Sequence, residues 1–382
     1  MRMVLIGNYR LDKQESMLRF ADMLDSGLKA KGIQSEIWEP TIFFGKIFES
    51  TNSGIAKWVG YIDKFIVFPI VIKLRLKKQK YKNLQTRFHI CDHSNAPYLK
   101  YLPKNITGIT CHDVLAIRGA LGYKDTFAEP SKFGVFLQKW IFKNLVKAKL
   151  LGAVSNFSLN QLEELHNDDA QERKWVVIHN AFNAPFAPMD KVEYLPLLES
   201  MGLNKEPFIL HVGTSHPRKN RIFLVNMMKA LEGKWNGKLC LASKPLDKPL
   251  IELAKELGIE NKIISVVRPD HKYLIALYSA CRAFVFPSFS EGFGWPVIEA
   301  QACGAPVIAS DLEPMPEVSG NAALHNNPKD ANAFANALLS LENKEGREKL
   351  IEKGYENIKR FELNKMIDSY LSLYGFENIQ KE

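Results

Sequence analysis

The sequence predicts an α/β protein of two domains, each a parallel sheet covered by helices on both faces. Three observations carry that expectation. The 382 residues are enough for two independent cores. Short apolar runs alternate with amphipathic stretches of helical period in both halves, the pattern of strand–helix–strand units. Between the halves, Asn183–Pro196 (NAPFAPMDKVEYLP) carries three prolines and no clear periodicity, and so reads as a linker.

Composition narrows the class. With 46% hydrophobic and 24% charged residues, the chain is an ordinary globular one. Its cysteines (Cys91, Cys111, Cys240, Cys281, Cys303) are odd in number, scattered and without a C-x-x-C pair. That predicts neither a disulfide framework nor a zinc site, and fits a reducing cytoplasm. The opening MRMVLIGNY runs straight into a strand, without the apolar core of a signal peptide. The formal net charge of +9 calls for an anionic partner: a nucleotide, membrane lipid or nucleic acid.

Taken in order, Met3–Ile6 predicts a buried strand, Gly7-Asn8-Tyr9 its exit turn, Glu15–Lys31 an amphipathic helix and Ile33–Trp38 a second strand. No G-x-G-x-x-G follows the first strand, so this is not a dinucleotide fingerprint. Residues 55–82 mix Trp, Phe and Ile with lysines and end in a basic cluster, Lys73, Arg75, Lys77, Lys78 and Lys80. The longest uncharged run, Phe65–Ile72, is too short to span a bilayer. Two readings fit the segment: a helix lying on anionic lipid, or a core helix with a solvated basic end. Nucleic-acid binding lacks any recognised module. Asn105–Ile109 predicts a further strand ending at Thr110-Cys111-His112-Asp113, a His-Asp pair where such sheets bind ligands. Lys149–Ser155 and Trp175–Asn180 read as the last strands of this half.

The second half opens with the strand Phe208–Val212, the turn Gly213-Thr214-Ser215-His216-Pro217-Arg218-Lys219-Asn220 and a helix from Arg221. Two adjacent cations at a helix entrance form either a diphosphate clamp or a solvated basic turn. Strands Lys238–Ala242 and Lys262–Val266, the loop Val267-Arg268-Pro269 and a helix Tyr273–Ala280 follow. Ala283–Pro287 then predicts a strand, Ser288–Gly294 a loop, and Trp295–Cys303 a helix with Pro296 in its first turn. Free N–H groups at that helix start favour an anion, and Gly292 and Gly294 let a ligand approach. Glu291 and Glu299 stand in an E-x7-E spacing. Glu299 is the single ionisable group between Pro296 and Cys303, so a defined partner is expected for it. A carboxylate suits a vicinal diol. Pro306–Ser310 reads as a strand, and helices follow near Ala331–Leu341, Lys344–Arg360 and Leu363–Tyr374.

The string EGFGWPVIEAQACGAPV closely resembles the donor-site signature of the retaining glycosyltransferases of family four, the glycosyl transferases group 1. VGTSHPRKN resembles that family's Pro-Arg-Lys-Asn variant, and VSNFS and VIHNAFN resemble landmarks late in its first domain. The resemblance implies the GT-B fold, two Rossmann-like doubly wound domains with an interdomain cleft. Residues 1–185 would be the acceptor domain and 186–360 the donor domain, with a helix in 361–382 packing back on the first. It implies sugar contact by Glu291, ribose contact by Glu299, and backbone contacts from Gly292, Phe293, Gly294, Trp295 and Pro296. Gly213, Thr214, Arg218 and Lys219 would hold the diphosphate, and Val267 and Arg268 the nucleobase. Many members carry Arg where this chain has Thr214, and Arg218 is taken to replace it. Gly7 is either a site residue or a tight turn. His112 would hydrogen-bond at the reaction centre, and Asp113 orient His112 or its loop. The catalytic set is thus His112, Glu291, Arg218 and Lys219.

The implied activity is retaining transfer of a hexose from a nucleoside-diphosphate sugar to a glycan or glycolipid, in bacterial cell-surface polysaccharide assembly. The Pro-Arg-Lys-Asn variant favours a GDP-mannose-type donor over a UDP sugar. No Asp-x-Asp occurs in the chain, so neither a metal nor a cofactor beyond the donor is expected. The expected location is the cytoplasm or, through residues 57–82, the inner membrane face; nucleic acid is not expected as a partner. Two rivals share the fold: a sugar-nucleotide isomerase and a non-catalytic binding subunit.

Overall fold

The computed structural model describes residues 1–82, 85–127, 130–166 and 172–376. Twelve strands make two six-stranded sheets among these residues. The first holds β1 (Arg2–Ile6), β2 (Gln34–Trp38), β3 (Thr86–Ile90), β4 (Thr107–Cys111), β5 (Leu150–Ala153) and β6 (Lys174–Val177). The second holds β7 (Phe208–Gly213), β8 (Lys238–Ser243), β9 (Ile263–Val267), β10 (Ala283–Phe286), β11 (Val307–Ser310) and β12 (Leu324–Asn326). Every pairing is parallel.

The strand orders are β2-β1-β3-β4-β5-β6 and β12-β11-β10-β7-β8-β9. Renumbered from its own start, the second sheet runs 6-5-4-1-2-3, the Rossmann order. Each sheet therefore has one place where the winding reverses and the loops part: between β1 and β3, and between β7 and β10. Ligands of doubly wound sheets bind outside the carboxyl ends of the strands at such points.

Both faces of the second sheet are covered, which is why its strands read as unbroken apolar runs. Phe208, Leu210, Phe284, Phe286, Val307 and Ala309 enter one core, while Ile209, Val285 and Ile308 enter the core on the other face. Residue parity alone sorts them.

The chain divides into two compact units: 1–124, 128–183 and 362–382, and 125–127 with 184–361. The terminal helix Leu363–Leu373 belongs to the first unit, and residues 377–382 of the expected tail lie outside the described residues. Its docking is intimate. At Gly27, a Cβ would come within 2.6 Å of Ile367, so the helix Glu15–Ala30 meets the tail through a gap that glycine leaves open. Buried Tyr374 donates to the Phe88 carbonyl (2.7 Å), so its oxygen accepts from the Gly108 N–H (3.1 Å) and from His89 Nδ1 (2.8 Å). The remaining His89 nitrogen then accepts from Thr110 Oγ1 (2.8 Å), which accepts from Tyr370 (2.7 Å).

Three expectations need correction. The linker is shorter than Asn183–Pro196, because Lys191–Ser200 is helical with Pro196 inside it. Val192, whose carbonyl Pro196 cannot serve, is 84% exposed, so water can satisfy it. The strand expected at Asn105–Ile109 runs Thr107–Cys111, since pairing with β3 begins only at Phe88↔Thr107. That shift sets His112 directly after the strand. The strand expected to reach Asn180 ends at Val177, where pairing with β5 stops.

Candidate active site

In the second unit the reversal point carries charge. The turn after β7 leads through Pro217–Lys219 into the helix Arg221–Ala230, and the loop after β10 leads into the helix Trp295–Ala302. Backbone and side chains tie the two loops: the Phe289 N–H donates to the Arg218 carbonyl (2.8 Å), and the Asn220 carboxamide donates to the Pro287 carbonyl (3.1 Å). Asn220 itself sits in left-handed conformation (φ 56°), which asparagine tolerates.

Within this frame Arg218 Nη1 lies 2.5 Å from Glu291 Oε2, and Lys219 Nζ lies 2.5 Å from Oε1. Arg218 also donates to the Ser290 carbonyl (2.9 Å), and the Lys219 ammonium stands 5.0 Å over the Phe286 ring. Burial pushes the Glu291 carboxyl up, yet Lys219 and Arg218 outweigh it and hold the group below the ordinary carboxylate range. Two cations against one carboxylate leave the cluster net positive. Thr214 is exposed at the end of β7, and the guanidinium at Glu291 is Arg218's.

Glycines shape the rest. A Cβ on Gly213 would come within 2.7 Å of His211 Nε2. His211 Nδ1 must donate to the Val285 carbonyl (3.0 Å), and burial holds the ring neutral with its pKa down to about 3. Gly294, with φ 104°, is the left-handed entry to the helix Trp295–Ala302. One turn in, Glu299 is buried and accepts from the Tyr278 hydroxyl at 3.0 Å. This is a partner that spacing alone did not reveal. Val267, expected in the loop, is the last residue of β9, paired with Ser243, and both it and Arg268 just beyond are exposed; the Arg268 N–H donates to the Ser243 carbonyl (2.7 Å).

The first unit presents a different chemistry at its own reversal point. His112 is buried beside Phe20, and Nε2 lies 2.9 Å from the Cys91 carbonyl. A carbonyl only accepts, so Nε2 carries the proton and Nδ1 is an acceptor. Burial lowers the His112 pKa against the pull of Asp92, which keeps the ring neutral at pH 7. Asp113 accepts from the Leu115 N–H (3.0 Å), so it orders the loop and not the imidazole. Gly7 packs against β2, where a Cβ would stand 3.2 Å from Ile37.

Beside these lies a polar network absent from the sequence reading. Asn8 Nδ2 donates to Asp92 (2.5 Å) and Gln14 (2.6 Å), and its Oδ1 accepts from Asn95 (2.9 Å). Asn8, Gln14 and Asn95, with Asp12, Tyr61 and Lys64, line a cavity of about 310 Å³. The missed signal was β3: once Thr86–Ile90 is recognised as a strand, Asp92 and Asn95 fall just past its carboxyl end.

Comparisons with known proteins bear on the family and the fold. Residues 199–357 match the family of glycosyl transferases group 1. The chain is 33% identical over 231 residues to O-antigen chain mannosyltransferase B of Escherichia coli, covering 59% of this chain and 60% of that protein. It is 29% identical over 273 residues to O-antigen chain mannosyltransferase RfbU of Salmonella typhimurium, covering 72% and 67%. Over residues 199–357 the chain thus carries the sequence of the group 1 glycosyltransferases.

The matches span about 60% and 67% of those two relatives' lengths. Solved structures extend the likeness to the whole fold. Sucrose-phosphate synthase of Thermosynechococcus elongatus superposes with a TM-score of 0.72 at 21% identity, over 98% of each chain. Anabaena HepE, solved with UDP and glucose, superposes with a TM-score of 0.70 at 15% identity, over 98% of this chain and 99% of that one. At such identities the likeness establishes the GT-B fold alone.

Proposed function

We propose that this group 1 glycosyltransferase moves a hexose, with retention, from a nucleoside diphosphate of the GDP-mannose type to a glycan or glycolipid acceptor in polysaccharide assembly. The observation that carries the reading is the Arg218–Lys219–Glu291 cluster at the β7/β10 reversal point, net positive and next to a helix N-terminus. The mannosyl donor rests on the O-antigen mannosyltransferases to which the chain is similar.

In this reading Arg218, Lys219 and the positive end of the helix that starts at Gly294–Pro296 meet the charge that develops on the leaving diphosphate, fixed in place before reaction. The bond from the anomeric carbon to the diphosphate oxygen breaks. An acceptor hydroxyl oxygen bonds to that carbon on the same face, and its proton passes to the departing phosphate. No protein nucleophile is required, and these cations supply the charge that a metal would otherwise bring. Glu291 holds sugar hydroxyls and Glu299 the ribose. His112, neutral with Nδ1 as acceptor, takes a hydrogen bond from a hydroxyl of the transferred sugar. The 310 Å³ cavity, rich in carboxamides and hydroxyls with an aromatic ring, suits an acceptor sugar. Acceptors of this kind are met at a membrane surface, which residues 57–82 would contact.

Thermal unfolding with GDP, UDP, ADP and dTDP, with and without EDTA, tests the donor site. Ligand binding to the native state raises the melting temperature by mass action. The expected result is a rise with GDP that survives EDTA and is lost in Lys219→Ala. No response to any diphosphate would sink the reading. A response to UDP alone would overturn the donor assignment.

A further inference from the structure

We propose that the first unit docks on an anionic bilayer through a built insertion face, in which a helical stripe and an anchored aromatic loop enter the interface together. The inference rests on the reading of an enzyme acting at a membrane surface and names the surface that does it. Half of the molecule's exposed large apolar side chains, among the described residues, lie between Ile42 and Leu74.

The helix from Gly54 to Leu76 is continuous, α-helical to Ile62, π-helical over Asp63–Val67 and α-helical again from Phe68. Ile55, Trp58, Ile62, Ile66, Ile70 and Leu74 are all exposed. The opposite side, through Gly60, Asp63, Phe68, Pro69 and Ile72, is buried. Held to the core along roughly 35 Å, the helix cannot turn to cross a membrane and can only lie along one. From Trp58 onward the exposed residues recur every fourth position. In an unbroken α-helix such positions drift by about 40° per step and would wind round the helix. The wider winding of the π segment takes back part of that drift, so the stripe stays on one side.

Asp63, fully buried in the π segment, anchors the loop. Its carboxylate accepts from the N–H groups of Phe43 (3.0 Å), Phe44 (3.0 Å) and Gly45 (2.9 Å) and from the Tyr9 hydroxyl (2.7 Å). Phe43 and Phe44, a perpendicular pair 4.8 Å apart, are thereby presented beside the helix at 56% and 49% exposure. Trp58 packs on Phe133 at 4.5 Å between centroids, and the next turn adds Phe136, 65% exposed.

Charge identifies the occupant. From Lys64 to Arg87 every charged side chain is basic, and Lys73, Lys77, Lys78, Lys80 and Lys82 are exposed. An apolar stripe ending in lysines complements acyl chains beneath anionic headgroups. A second copy of the same face would set like charges together, which disfavours self-association.

The full chain is sedimented with vesicles of phosphatidylcholine, alone or mixed with phosphatidylglycerol. We expect binding to the mixed vesicles, weakened about tenfold or more by Ile66→Ser with Ile70→Ser. Lys77→Gln with Lys78→Gln and Lys80→Gln should weaken it likewise, and high salt should erase the difference. Lipids brominated on the acyl chains should quench fluorescence in the wild type, and less in Trp58→Phe. The GDP-induced rise in melting temperature is followed in every variant and should not change, so loss of the donor site and loss of docking are read separately. Absence of vesicle binding, binding that ignores these substitutions, or a dimer that the same substitutions dissolve would each overturn the proposal.

Discussion

Glu291 occupies the place between Arg218 and Lys219 that a diphosphate would claim, with both cations at 2.5 Å. On the proposed reading of the site, the carboxylate would be an internal competitor for the donor's phosphates, displaced when the donor binds and then available to sugar hydroxyls. Glu291→Gln should tighten GDP binding by about tenfold, since charge-assisted bonds no longer have to be given up, while transfer falls by about 10²–10³. Calorimetric titration with GDP and a transfer assay check the two halves, and weaker GDP binding would refute the competition. His112→Leu removes an acceptor, whereas His112→Gln keeps one. Transfer should fall about tenfold in the first and less in the second, with the GDP response of the melting temperature intact in both.

At the scale of elements, two buried side chains hold structure that is distant in sequence. Tyr374 joins the tail helix to β3 and β4 through a single hydroxyl oxygen. Tyr374→Phe leaves the Gly108 N–H and the His89 ring without that partner, and should cost about 3 kcal/mol by urea unfolding. A cost near zero would mean that water replaces the hydroxyl. Asp63 joins the loop 43–45 to the π segment. Asp63→Ala orphans four donors, which should lower stability by about 3 kcal/mol or more and weaken vesicle binding even though the exposed stripe is untouched.

For the whole molecule, imidazoles that burial keeps neutral shape the response to acid, foremost His89, His211 and His112. Burial draws His89 and His211 down to about 3 and lowers His112 from 6.5. The unfolded chain takes up protons that the folded one refuses, so stability is fully present above about pH 6.5 and is lost as pH falls from there towards the folded values. Glu291, held low by its cations, adds a loss only below the ordinary carboxylate range. The urea midpoint should therefore decline from about pH 7 to about pH 5. A flat profile across that window would show that these rings protonate without opposing the fold.

The local rules of the chain were enough to specify much of this protein. Apolar runs such as Phe208–Val212 and Ala283–Pro287, and the helix start at Trp295–Pro296, are written in consecutive residues, and so is the E-x7-E spacing. Hence the two doubly wound sheets and the loop carrying Glu291 were legible without coordinates. Strand β3 was not, because its polar residues Thr86, Arg87 and His89 break the apolar run that the reading relied on. The helical stretch Lys191–Ser200 was masked by Pro196, whose cost is paid in solvent. What the tertiary structure alone decided is who meets whom: Glu291 with Arg218 and Lys219 some 72 residues away, Glu299 with Tyr278, Asp63 with Phe43–Gly45, His89 with Tyr374. Periodicity is a property of neighbours along the chain and predicts which face is buried. The partner of a buried polar group is chosen by the packing of whole elements, and that choice appears only once the sheets are assembled.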